Sequence, residues 1–416
     1  MPKGSGSQLK RDYIWNTASS VMGALSLVLL QFAVTRVLGL ALGGIFAFAL
    51  SLGQQFQMIG AFEVRPYQAT DVTGRFSFGS YYALRILTTT LMLVSIIGYA
   101  IVAGGPTSTA VVIVLVGVLR AFDAFEDVFY GEFQRLGRLD IAGRALFLRT
   151  LVTTVTFVVS LVASRDLVIT CAVTIVVSAA ALYVFVVPPA RAMFPLRPVF
   201  RTSTVRTLAL ACLPLFVASF LALYLSNAPR FGIERFLSQE DQGIYAILFV
   251  PALAINVLSL FIFRPLLTRM ATFWESGDRP GFLRVIRGGI AGAFGAFVVT
   301  LVAAWAIGIP LLGALAAADL GPYRPELLVL VGGGALNALG VILYYALVTL
   351  RLRRAVLGGY VLASVVVTAL GWLLVPHLGI MGAGLTYVGA MLTLALCFGI
   401  LLALAVRRDV AGSTPA

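Results

Sequence analysis

The feature that most constrains this chain is a succession of uninterrupted apolar runs, most of about 20 residues or more, separated by short polar or basic connections. In hydrocarbon only helices and closed barrels satisfy their own backbone hydrogen bonds. These runs lack the two-residue alternation of a barrel strand, so they predict helices. The expected spans are 13–38, 41–61, 80–102, 107–130, 143–163, 167–189, 207–228, 242–263, 283–309, 326–349, 355–375 and 379–406. Hydrophobic residues make up 60% of the chain and charged residues 11%. A soluble domain carries about 45–50% and about 25%, so a soluble chain of this make-up could not cover its surface with polar groups. The fold class is therefore an all-α polytopic membrane protein, with about twelve transmembrane helices in two six-helix bundles.

The basic stretch 1–11 precedes an apolar run that is too long for a signal-peptide core and is closed by no small-residue cleavage site, which predicts a retained first helix. Cys171, Cys212 and Cys397 fall within apolar runs and read as small buried hydrophobes. No disulfide, metal or nucleophile-triad spacing and no phosphate-binding glycine loop is present, so no cofactor is expected.

The formal net charge of +13 is explained by topology. With the N-terminus in the cytoplasm, Arg36, Arg165, Arg230, Arg235 and Arg324 are the external basic residues, five of 30. That asymmetry is the positive-inside pattern. It predicts a multi-pass protein of the cell membrane with both termini cytoplasmic, and it leaves nucleic acid unnecessary as a partner.

A shift of 199 residues aligns the two halves. Arg36 falls on Arg235, Gly44 on Gly243, the pair Arg65-Pro66 on Arg264-Pro265, and Arg85 on Arg284. After the ninth span the register slips by about 16 residues, which an extended connection near 316–325 would absorb. The predicted organisation is an N-terminal bundle at 1–190, a Pro- and Arg-rich cytoplasmic linker at 191–206, and a C-terminal bundle at 207–416, related as a parallel repeat. Repeats of this kind build transporters whose substrate site lies between the repeats.

Ionisable residues inside apolar spans are costly unless they face a cavity or a partner. Arg85 lies about one turn into the third span. Arg120 lies near the middle of the fourth, with Asp123 and Asp127 on the same helix face and Glu126 and Glu132 following. Two readings stand. Arg120 pairs internally with Asp123 or Asp127, or arginines line a cavity for an anion such as a pyrophosphate, which guanidinium binds in a fork. Arg65, Arg264 and Arg284 near the cytoplasmic ends read as topology markers, and His377 as a solvated turn residue. Pro214 and Pro251 are expected to kink their helices, and the glycines at 332–334 to serve close helix packing.

The stretches YIWNTASSVMGALSLVLLQFAVTRVLGL (13–40), FEVRPYQATDVTGRFSFGSYYALRIL (62–87), LRAFDAFEDVFYGEFQRLGRLDIAGR (119–144) and LALYLSNAPRFGIERFLSQEDQGIYAILFVPAL (221–253) resemble the lipopolysaccharide and capsule repeat-unit flippases. These belong to the multidrug/oligosaccharidyl-lipid/polysaccharide exporter superfamily. The resemblance implies alternating access and a cargo of polyprenyl-pyrophosphate-linked oligosaccharide, moved to the outer leaflet for surface polysaccharide biosynthesis. It also implies membrane lipids and polysaccharide-assembly proteins as partners. The cavity residues it implies are Arg85, Arg120, Asp123, Glu126, Asp127 and Arg230. Drug-exporting relatives often carry an acid within the first helix; here none follows Asp12 in that span, which argues against a cation-coupled drug exporter. A membrane polymerase or glycosyltransferase would need a larger external loop. A transporter, not an enzyme, is the expected class.

Overall fold

The computed structural model describes the backbone of residues 6–71, 73–103 and 106–412, and the side chains of these apart from 6, 256–268 and 408–412. Arg264 and Pro265 of the repeat lie outside the described side chains. The helices are α1 (Gly6–Leu38), α2 (Leu40–Ala61), α3 (Val64–Thr70), α4 (Phe78–Val102), α5 (Thr107–Arg135), α6 (Leu139–Ser164), α7 (Leu167–Phe185) and α8 (Val187–Met193). They continue with α9 (Thr202–Phe236), α10 (Gln239–Leu248), α11 (Val250–Glu275), α12 (Arg279–Ala303), α13 (Ile309–Ala316), α14 (Arg324–Thr349) and α15 (Arg353–Gly412).

Ten helical segments among the described residues are long and apolar enough to cross a membrane. The tenth, Arg353–Arg407, is two helices meeting at Gly379, whose φ of 58° and ψ of −135° only glycine adopts readily. Helices α10 and α11 cover the remaining expected span, 242–263. His377 is exposed beside the Gly379 kink. Pro251 stands at the start of α11, where the helix restarts after Leu248, whereas α9 runs on through Pro214.

The chain forms two compact units, residues 1–220 and 221–416, divided within α9. The order of elements repeats in them. Leu40 and Gln239 open the second crossing of each half, 199 residues apart, and Leu139 and Arg353 open the fifth, 214 apart. The register slip has a different cause from the extended connection expected. Helix continues to Ala316 through a π-helical turn at Ala304–Gly308 that leads into α13. Pro310, within the first turn of α13, has no N–H to give the preceding turn, and a π-bulge is the usual accommodation.

In unit 1, α5 is central, packing against α2, α3, α4, α6 and α7, while α1 packs along α6. A Cβ on Gly143 would lie 2.7 Å from the backbone carbon of Trp15, so α1 and α6 cross with their main chains nearly touching. The end of unit 1 where α1 begins also holds α3, the α5–α6 turn, α8 and residues 194–201. Phe194 packs on Phe78 at 4.5 Å, and Val199 N donates to the Gly79 carbonyl at 2.9 Å. Most of unit 1's basic residues gather at this end, from Lys10 and Arg11 to Arg138, Arg191 and Arg197.

Two details at this end position the site. Helix α2 stops because Phe62 and Glu63 both adopt left-handed backbone, φ 46° and 51°, which is uncommon for side-chain-bearing residues. The buried Gly60 carbonyl is then capped from α4, by Arg85 Nη1 at 2.6 Å and Thr88 Oγ1 at 2.8 Å. Asp71 ties the α3–α4 loop, accepting from the N–H groups of Arg75 and Phe76 at 2.9 and 3.0 Å and from the Tyr81 hydroxyl at 2.9 Å.

Candidate functional site

A cavity of about 330 Å³ opens within unit 1, walled by α1, α2, α3, α5, α6 and α7. Its α5 wall presents Arg120, Asp123, Glu126 and Asp127, whose spacing puts them on one stripe. Facing them from α6 are Arg149, Thr150, Thr153 and Thr154, with Thr174 and Ser178 from α7 and Ser26 from α1. Ser26 and Thr154 share a hydrogen bond at 2.7 Å across the α1–α6 crossing. Thr153, Thr154 and Thr174 each donate to the carbonyl one turn back, so their hydroxyls are satisfied without charge.

The charges are arranged as pairs. Arg149 is almost fully buried; its Nη2 donates to Asp123 and its Nε stands 2.7 Å from Glu126 Oε2. The Nε contact is a charge contact, off-axis for a hydrogen bond. Arg120 Nη1 lies 2.8 Å from the other oxygen of Asp123. Asp127 is divided between Arg65 Nη1 at 3.3 Å and Arg85 Nη2 at 3.0 Å. Three arginines and three carboxylates therefore share the lining, a balance that makes their removal from water tolerable. Gly53 makes room for Arg120: a Cβ there would sit 3.0 Å from its Cγ.

Of the residues expected from sequence, Arg120, Asp123, Glu126 and Asp127 line this cavity together. Arg85 does not line it; its side chain is 0% exposed and lies behind Asp127, bonded to the end of α2. Arg230 belongs to unit 2, where its guanidinium stands 5.0 Å from the Phe249 ring centre and Nη1 donates to Asn227 at 3.3 Å. Arg149, Gln57 and the hydroxyl residues escaped the sequence reading, and Arg65, read there as a topology marker, is in the lining. Among the described residues no group of three or more His, Cys, Asp or Glu could hold a metal ion.

Neither a known family's sequence profile nor any curated protein matches the chain. Solved structures do. An inward-facing multidrug-resistance MATE-family transporter of the MOP superfamily superposes with a TM-score of 0.68 at 14% identity, covering 94% of this chain and 96% of that one. The lipid II flippase MurJ, in an inward closed conformation, gives 0.69 at 10% identity over 91% and 86%. A MOP-superfamily transporter from Pyrococcus furiosus, described as having a binding pocket of reversed polarity, gives 0.60 at 13% identity over 98% and 96%. The chain thus has the fold of MOP-superfamily transporters, a multi-pass membrane fold with two repeat halves. At these identities the likeness establishes the fold alone.

Proposed function

We propose that the protein is a flippase of the cell membrane that moves a polyprenyl-pyrophosphate-linked oligosaccharide from the cytoplasmic to the outer leaflet by alternating access, without chemical change. The observation that carries this reading is the partly exposed Arg120 beside a hydroxyl-rich wall. Among the described residues its guanidinium uses only Nη1, on Asp123, and its buried Nε has no partner. Guanidinium donors left over in the cavity suit a diphosphate, and threonine and serine hydroxyls suit a glycan. The volume is within the usual range of ligand pockets, roughly 300–1,000 Å³, and a lipid-linked cargo has a counterpart among the fold's users, since one is a lipid II flippase. The basic end of unit 1 supports placing the termini in the cytoplasm.

The second reading is a cation-coupled multidrug exporter, favoured by Asp123, Glu126 and Asp127 on the same wall as acceptors for a coupling or cargo cation and by drug-exporting users of the fold. One pair of experiments separates the two. Cells lacking the protein should accumulate complete, carrier-linked single repeat units on the inner leaflet, and purified protein in liposomes should move such a lipid with its glycan intact. Hypersensitivity to lipophilic cations, with normal surface glycan, would assign the exporter function instead. Repeat units stranded on the outer leaflet would point to polymerisation.

A further inference from the structure

A second cavity, of about 500 Å³, lies at the end of unit 1 where α1 begins, between α1, α6, α7 and α8. Its polar rim holds Arg11, Arg138 and Arg144 against one acid, Asp140. That acid is occupied: Arg138 donates to it through Nε at 3.0 Å and Nη2 at 3.2 Å, and Gln8 Nε2 at 2.9 Å. The neighbouring Asp12 is turned to Gln8 Nε2 at 3.0 Å and to the Asp140 N–H at 2.8 Å. Arg11 donates to the neutral oxygen of Gln8 at 3.3 Å. Arg144 is exposed and makes no hydrogen bond or ion pair among the described residues.

The rim therefore carries net +2, and +1 with Asp12 counted beside it, a match for one phosphodiester. The rest of the wall is apolar. Leu148 lies one turn deeper than Arg144 on α6, and Val184, 58% exposed, stands on α7. Trp15 lies at the rim with its ring braced edge-on against Phe147 at 5.9 Å. The near-contact of α1 and α6 backbones at Gly143 and Trp15 fixes the separation of Arg11 and Arg144. Cations at the rim, an indole at the boundary and apolar side chains below are the layering of a phospholipid, headgroup above acyl chain. A free anion would leave the apolar wall unused.

From this we infer a resident binding site for an anionic phospholipid, held by Arg11 and Arg144 with its acyl chain along Leu148 and Val184. The occupant is a bilayer lipid and not the transported cargo, so the site stands or falls separately from the transport reading.

The test uses full-length protein in which Trp274, Trp305 and Trp372 are replaced by phenylalanine, leaving Trp15 as the reporter. It is placed in nanodiscs of phosphatidylcholine containing either brominated phosphatidylglycerol or brominated phosphatidylcholine. The brominated anionic lipid should quench Trp15 at a lower mole fraction, and R144Q should reduce that preference by about fivefold, as one juxtamembrane arginine is worth. R11Q/R144Q should abolish the preference, and R165Q at the other end of α6 should leave it unchanged. Equal quenching by the two lipids, or a preference indifferent to R144Q, overturns the proposal. Loss of the preference on adding inorganic pyrophosphate would make this a free-anion site and overturns it equally. Should the phenylalanine variant not fold, native mass spectrometry of the unmodified chain and R144Q counts retained phosphatidylglycerol against phosphatidylcholine, with the same expected and overturning results.

Discussion

Arg85 Nη2 donates to Asp127 Oδ2 at 3.0 Å while its Nη1 caps the Gly60 carbonyl, so one buried guanidinium joins the end of α2 to the charged stripe of α5. Asp127 in turn hands its other oxygen to Arg65 at the cavity. Removing Asp127 strands the fully buried Arg85, at about 3–5 kcal/mol, whereas removing Arg85 leaves Asp127 with Arg65 and should cost less. R85M and D127N should each lower the stability of purified protein in chemical denaturation. Because they break the same contact, the double variant should cost less than the sum, by roughly 0.5–3 kcal/mol. Additive losses would show that the pair is not coupled.

Arg149 is a sharper case, since it alone among the described residues is paired with Glu126. R149L leaves Asp123 with Arg120 but leaves Glu126 with no cation, and should cost about 3–5 kcal/mol. Neutralising the stranded acid in R149L/E126Q should recover a large part of that. A double variant no more stable than R149L would place the cost in packing and not in charge.

How much of this was legible varies by element for physical reasons. The crossings followed from hydropathy, and the α5 stripe followed from residue spacing, because both are properties of one helix. Arg149 carries the same signal, an arginine well inside an apolar run with Thr150, Thr153 and Thr154 beside it, yet its charge was absorbed into the topology count. That it meets Asp123 and Glu126 depends on the packing of α5, α6 and α7, which no single-helix spacing encodes. Arg85 looked like a cavity residue because a charge in an apolar run is usually functional. Its actual bond to a helix end depends on the left-handed pair Phe62–Glu63, which has no glycine or proline to announce it. The continuation of helix through residues 304–316 was equally hidden, since Pro310 reads as a stop unless the chain can absorb it in a π turn.

Asp71 lies between crossings and should give a pH signature. Burial works against its charge, but hydrogen bonds from Phe76, Arg75, Tyr81 and Thr73 outweigh this and hold its pKa below the usual carboxylate value. A folded pKa below the unfolded one contributes stability that is present above the unfolded pKa and lost as pH falls through the folded pKa. The melting temperature of the wild type should therefore drop on acidification below about pH 4, and D71N should lack that part of the drop. Parallel pH curves for the two proteins would refute it.

Glu63 should show the opposite sign. Burial raises its pKa, the neighbouring Asp127 adds to this, and Ser219 and Arg85 only partly offset it. A folded pKa above the unfolded one means that stability declines as pH rises from the unfolded to the folded value, and then levels. E63Q should match wild type in acid and exceed it at neutral pH. A variant weaker than wild type at every pH would mean that the carboxylate's hydrogen bond matters more than its charge.

The last prediction separates the two cargo readings at one residue. Arg120 touches the cavity and is partly exposed, and its partner Asp123 keeps Arg149 when Arg120 is lost. R120Q should therefore stay folded, with a stability change of about 1 kcal/mol or less, as for a partly solvated pair. If the cavity takes a diphosphate, losing a charge-assisted contact worth about 1.5–3 kcal/mol should lower the apparent affinity for the lipid-linked substrate by at least about tenfold. Lysine at this position should restore only part of it, because a point charge cannot make the two-pronged contact. If the cargo is a lipophilic cation, R120Q removes a like charge from the wall and transport should hold or improve. Initial rates of flipping and of cation efflux, measured on the same proteoliposomes for wild type, R120Q and R120K, decide between them. Unchanged flipping in R120Q would remove Arg120 from the substrate site.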